Sequence, residues 1–283
     1  MSYKLSILIP SYEYVKGVSR ILNTVCELSE EIEIIIFDDS HSDDVENEVQ
    51  SFSRGINRIT YKKNIPSLGA AANWNALLDA AQGEYCVLMH HDETPLNRAY
   101  ISDVLNELSC NPDVDVFLCD VFLADENLHI MRRHLPNLFR WLVVNKFPLY
   151  LMRRNVIGPS AALIVKTNVY PRFNNKLHWL IDVELYKRLC LGNLNWRLSQ
   201  HIKIVSVQRQ SGTITSTLMG NIKEIDSNER QLLQSNTSSQ SDSLKKYRNL
   251  IFNVVESFFW TIFRVIQYTI SIKSLIKNFL KKY

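Results

Sequence analysis

The chain has 283 residues, a formal net charge of +3, and 46% hydrophobic against 22% charged residues. That is room for one large domain with an appendage, too apolar for a disordered chain and too weakly charged to argue for nucleic acid. From Lys245 onwards eight Lys and Arg stand against one acid, Glu256, so the positive charge belongs to the tail and the remainder is slightly acidic.

The N-terminus enters at once the apolar run Leu5–Ile9, which reads as a buried strand rather than a signal peptide and implies a cytoplasmic catalytic part. Val15–Leu28 has helical spacing, Glu33–Phe37 is a second strand, Val45–Phe52 a helix and Ile56–Tyr61 a third strand. Asn73–Ala81 is predicted helical, with Gly83 as its C-cap. Glu84–Met89 forms a fourth strand running into His90-His91-Asp92, followed by a helix over Ile101–Leu108 and a fifth strand over Val114–Val121. Leu135–Val156 mixes aromatic and basic residues without clean periodicity. Beyond the Gly158-Pro159-Ser160 break come a strand over Ala161–Val165, a helix over Trp179–Leu191 and a late strand over Ile202–Val207. Five cysteines, odd in number and without a C-x-x-C pair, indicate reduced buried thiols, not a disulfide framework or a zinc knuckle.

Strand and helix alternating through short connections predict an α/β fold with a mostly parallel sheet covered on both faces. Ligands of such sheets bind beyond the carboxyl ends of the strands. Pro10-Ser11, Asp38-Asp39 and His90-His91-Asp92 each follow a strand, so three polar clusters should meet on one rim. Asp38-Asp39 also suits a solvated turn. Asp92, past a buried strand and beside two histidines and Glu93, suits an oxygen-ligated Mn²⁺ or Mg²⁺ completed by phosphate oxygens and water. Asp182, at the start of a helix, serves either the helix dipole or proton abstraction.

The runs Leu5–Tyr12, Ile34–Asp43, Asn64…Gly69…Asn73-Trp74-Asn75…Gly83-Glu84-Tyr85…His91-Asp92-Glu93, Gly158–Ala161 and Trp179…Asp182-Val183-Glu184-Leu185 resemble, in order and spacing, the inverting family-two glycosyltransferases of GT-A fold, of the bacterial surface-polysaccharide type. The resemblance implies a nucleotide-sugar-binding half over 1–125 and an acceptor half over 126–220. It places Pro10, Tyr12, Asp39, Asn73, His91 and Asp92 against a nucleotide-diphosphate sugar, with uracil the usual base at Asp39. It makes Asp92 and His91 the metal ligands, and Asp182 the base that activates a saccharide or lipid-linked acceptor. His91 stands where the family often has Asp, Trp74 where many members have Arg, and Gln210 where relatives often carry His. A catalytically degenerate carbohydrate-binding or scaffold subunit is the alternative. A sugar-phosphate nucleotidyltransferase lacks its Gly-rich phosphate loop here, and no P-loop occurs.

Residues 221–243, rich in Ser, Gln and Asn from Ser227 on, read as a polar linker. Residues 244–283 have amphipathic helical spacing with aromatic residues and terminal lysines, which suits an anionic membrane surface on the inner face of the cell membrane. The same pattern suits packing on the domain itself or on a second subunit.

Overall fold

The first strand, β1 (Leu5–Ser11), is buried along all seven residues, as expected for an aliphatic run covered on both faces. The structure, a computed structural model, describes residues 3–25, 29–53, 58–209 and 220–235, with 257, 258 and 261. β1 is followed by α1 (Val15–Val25), β2 (Ile32–Asp38), α2 (Asp44–Ser53), β3 (Ile59–Lys63), α3 (Ala70–Ala80), β4 (Tyr85–Leu88), β5 (Glu93–Pro95) and α4 (Tyr100–Cys110). Then come β6 (Val116–Ala124), β7 (Ile130–Arg133), α5 (Asn137–Lys146), β8 (Leu163–Lys166), α6 (Ile181–Leu191), β9 (Trp196–Val207) and α7 (Ile222–Ser235).

The strands form one sheet in the order β3-β2-β1-β4-β8-β6-β9-β5, with β7 on β6. β1, β2, β3 and β4 pair in parallel, and β8 runs antiparallel to both β4 and β6. β6 therefore points the same way as β4, and β9 lies parallel to β6. Six of the nine strands share one direction, as the alternating pattern predicts. Ile7, Ile9, Ile34 and Ile36 pack with Val18, Ile21 and Leu22 of α1, Val45 and Val49 of α2, and Val104 and Leu108 of α4. Side chains alternate across a strand, so Leu8 and Ile35 face the other side, where α3 lies against β1 and β2.

The chain divides into Met1–Gln231 and Leu232–Tyr283, and the site described below lies wholly in the first.

Several expectations are corrected. The helix α3 ends with Ala81 as its C-cap, in extended conformation, so Gly83 does not close it. Gly83 is required for another reason: a Cβ there would lie 2.6 Å from the Ser6 backbone nitrogen. Glu33, buried in β2, accepts the N–H groups of Gln82 and Gly83 and the Ser6 hydroxyl at this junction. β9 begins six residues earlier than its apolar run suggests. A register shift opposite Leu118–Asp120 bulges out Ser199-Gln200-His201, whose donors are collected by the buried Glu107 of α4. The unpatterned stretch after Leu135 contains a real helix, α5, organised by the fully buried Arg140. Its guanidinium donates to the carbonyls of Cys119, Val156 and Ile157, which satisfies a charge that apolar periodicity does not register. Residues 222–235, expected as linker, are helical. Gln210 lies outside the described residues, as does 244–283 apart from 257, 258 and 261.

Candidate active site

The cleft arises where strands part. β1 keeps pairing with β2 as far as Ser11–Asp38, whereas its pairing with β4 stops at Leu8–Leu88. Pro10, which has no N–H to give, sits beyond that divergence, where β4 no longer requires a donor from it. The parting opens a cavity of about 670 Å³ whose lining includes Pro10, Tyr12, Asp39, Asn73, His91 and Asp92, the six residues predicted to face a donor. No Lys or Arg lines it among the described residues.

These six are not equivalent. Asp39 accepts the Asn64 side-chain amide at 2.8 Å and the N–H groups of Leu68 and Gly69, so it builds the loop entering α3 as well as facing the cleft. That loop turns at Gly69, whose φ of +79° belongs to glycine. Asn73 is 2% exposed, and its amide is committed to the Phe37 carbonyl and to Asn64, which makes it a wall rather than a grip. Tyr12 is half exposed and meets His41 edge-on. The Ser11 hydroxyl is buried in the lining without a partner among the described residues.

The two histidines before Asp92 are placed differently. His91 turns its ring towards Tyr14, edge-on at 5.6 Å. Its carbonyl packs so closely on Gly17 that a Cβ at 17 would meet it at 1.9 Å. The group whose ligand atoms all lie within 4.8 Å of one another is His90, Asp92 and Glu93. His90, and not His91, belongs to that group. Its Nδ1 lies 3.3 Å from Glu93 and its ring packs on Trp74 at 4.6 Å, while Nε2 is buried with no partner among the described residues. Burial disfavours the charged His90 ring, but Glu93, with Asp92 and Asp182, outweighs it and raises the pKa. Burial, then the neighbouring Glu93, pushes the Asp92 carboxyl up. A divalent cation beside Asp92 would offset the crowding of carboxylates that raises its pKa. One imidazole with carboxylate oxygens fits Mn²⁺ or Mg²⁺. Glu93 accepts the N–H groups of His90 and Ala161 through one oxygen, and its other oxygen lies 3.3 Å from His90 Nδ1.

A second cavity, about 580 Å³, adjoins the first and shares Trp74, His90, Asp92, His178 and Ile181 with it. Asp182 lines this one, in the first turn of α6. Asn155, which sequence reasoning missed, donates to Asp182 at 2.7 Å and clasps Gly158 through both its carbonyl and its N–H. Gly158 has φ +102°, so the clasp needs glycine. The start of α6 is held by another missed residue. The buried Glu229 of α7 accepts the N–H groups of His178, Trp179 and Leu180. Burial lifts the Asp182 carboxyl to about 6, against the pull of the Val183 N–H and His90.

Comparison with known proteins bears on this arrangement. The model of the family described as Glycosyl transferase family 2 matches residues 6–170. An uncharacterised glycosyltransferase of Methanocaldococcus jannaschii is 23% identical over 162 residues, covering 56% of this chain and 54% of that protein. The abequosyltransferase RfbV of Salmonella typhimurium is 30% identical over 122 residues, covering 41% of this chain and 35% of that protein. The chain thus spans about half, or less, of the curated relatives it matches. Among solved structures, S. aureus TarS with UDP-GlcNAc aligns over 75% of this chain and 61% of that one, with a TM-score of 0.58 and 18% identity. The mannosyltransferase PcManGT of Pyrobaculum calidifontis, in complex with GDP-Man and Mn²⁺, aligns over 91% and 81%, with a TM-score of 0.54 and 10% identity. At these identities the likeness speaks for a shared GT-A fold.

Proposed function

The chain belongs to glycosyl transferase family 2, and from that premise we propose that it moves a sugar, with inversion, from a nucleotide-diphosphate sugar to a saccharide acceptor, lipid-linked in the cell, for surface-polysaccharide synthesis. The observation that carries this is the meeting of two cavities at Trp74, His90 and Asp92, with Asp39 in the first and Asp182 in the second. A donor lying in the first cavity would present its anomeric carbon near that junction. An acceptor hydroxyl in the second would approach from the Asp182 side.

In this reading Asp182 takes the proton of the attacking hydroxyl as the oxygen bonds to the anomeric carbon and the nucleotide diphosphate leaves. A general base in such a step contributes typically ~10²–10⁴-fold. Asn155 and the Val183 N–H each bond one oxygen of the carboxylate, which fixes its plane and leaves lone pairs to receive the acceptor's proton. Asp92, with His90, would hold a divalent cation, which supplies charge neutralisation at the leaving diphosphate. Pro10, Tyr12 and Asp39 frame the nucleoside, a UDP-linked donor being the first choice. The basic amphipathic pattern of 244–283 supports attachment to an anionic membrane surface. Membrane fractionation of a chain ending before Ile251 checks that, and unchanged membrane binding would sink it.

The full chain incubated with a panel of nucleotide sugars and Mn²⁺ should release free nucleotide diphosphate from at least one, faster when an acceptor is supplied. Absence of turnover with every donor, while a nucleotide still binds, would favour the degenerate-subunit reading.

A further inference from the structure

The described lining of the first cavity holds two acids, Asp39 and Asp92, and no Lys or Arg, so three imidazoles are the side chains there that can carry positive charge. Two of the three are engaged. His91 meets Tyr14 edge-on, and its Nδ1 is buried. His90 turns Nδ1 to Glu93 and packs on Trp74, with Nε2 buried. His178 differs from both. It is exposed, and only its backbone N–H is bonded, to Glu229, so its ring has no partner among the described residues.

We propose that His178 is the hydrogen-bond donor to the leaving nucleotide diphosphate, its imidazole N–H meeting a terminal phosphate oxygen where the two cavities join. The proposal rests on reading the first cavity as the donor site. Placement supports it. A residue serving the nucleoside alone would line only the first cavity, as Asp39 does, and one serving the acceptor alone only the second, as Asp182 does. His178 lines both. Its backbone is held with those of Trp179 and Leu180 by the Glu229 carboxylate, which fixes the segment and leaves the ring to a ligand. The same segment leads into the first turn of α6, where Asp182 sits, so one clamped entry carries the base and the leaving-group donor together. As the bond from the anomeric carbon to the phosphate oxygen breaks, its electron pair stays on the diphosphate, and the acceptor's proton goes to Asp182. A donor aimed at that growing charge lowers the barrier. Imidazole suits the task because it keeps an N–H in either charge state.

The test compares the full chain with His178→Ala and His178→Gln, by isothermal titration of UDP and of uridine with Mn²⁺ present. The alanine should weaken UDP roughly tenfold and leave uridine unchanged, as expected for one hydrogen bond to a charged group. Glutamine keeps an N–H donor and should restore most of the affinity. The thermal midpoint should not move in either variant, since the ring is exposed and unpartnered among the described residues. Binding of Mn²⁺ alone, followed by electron paramagnetic resonance, should be the same in all three proteins. Weaker Mn²⁺ binding by the alanine variant would make the ring a ligand of the cation and overturn the proposal. An unaltered UDP affinity, or an equal loss for uridine, would overturn it too while leaving the donor site standing. If the unmodified chain bound neither nucleotide nor nucleoside, the donor site itself would fall, and the role of His178 with it.

Discussion

Asp182 sits where its protonation and its proposed task are coupled. Its folded pKa, about 6, lies above that of an unfolded carboxyl, chiefly because burial penalises the charge. A base must be ionised, so turnover should fall as pH drops through about 6, or somewhat lower with a cation at Asp92. The pH–rate profile checks this, and Asp182→Asn should lose the acidic limb together with ~10²–10⁴-fold in kcat. Stability should move differently. With the folded pKa raised, the favourable contribution is present below the unfolded pKa and is lost as pH rises through about 6. At pH 8 the Asn variant therefore sheds a penalty, and its thermal midpoint should equal or exceed that of the unmodified chain. A large loss of stability there would mean that Asp182 is a structural anchor. Asp39 and Asp92 were legible in the sequence as residues just past readable strands and Asp182 as an acid in the first turn of a readable helix, and the family resemblance supplied their roles. His90, Glu93 and Asn155 were not, since their roles depend on Trp74, Ala161 and Gly158, partners that only the fold supplies.

At the scale of elements, the same distinction separates β1, β2 and β4 from α5 and α7. The strands are continuous aliphatic runs, buried whole, and periodicity suffices to find them. The helix α5 is fixed by Arg140 reaching carbonyls some twenty residues away, and α7 contributes Glu229, a buried acid in a segment that composition reads as linker. Glu229 gives α7 a measurable consequence. Its carboxylate satisfies N–H groups at the entry to α6, the kind that a helix start leaves without intrahelical partners. Glu229→Ala should cost about 1–3 kcal/mol through the unmet donors, read as a lower urea midpoint. It should also reduce kcat more than donor affinity, because the α6 entry sets the place of Asp182 but supplies only one edge of the first cavity, through His178 and Ile181. Glu229→Gln keeps one acceptor oxygen and should fall between the two. A kcat unaffected by the alanine would detach α7 from the site.

On the scale of the whole molecule, the charge of a donor has to be met within the first cavity. A nucleotide diphosphate brings at least two negative charges into a cleft that no described Lys or Arg lines. The segment 210–219, outside the described residues, contains neither residue type in its sequence. The backbone N–H groups at the start of α3 supply a partial positive charge, and under the proposed mechanism full neutralisation falls to a cation at Asp92. Chelation should therefore weaken UDP binding by roughly tenfold or more, about 1.4 kcal/mol per decade, and leave uridine binding nearly unchanged. Isothermal titration of both ligands with Mn²⁺ and with EDTA measures the difference directly. If UDP bound equally well without metal, the diphosphate would have to reach Arg209, whose guanidinium lies 3.6 Å from the ring centre of Tyr14. Arg209→Ala would then produce the loss that chelation did not. The two outcomes assign the leaving-group charge to a metal or to an arginine, and Trp74, expected to stand where many family members have Arg, packs its ring on His90 of the candidate metal group.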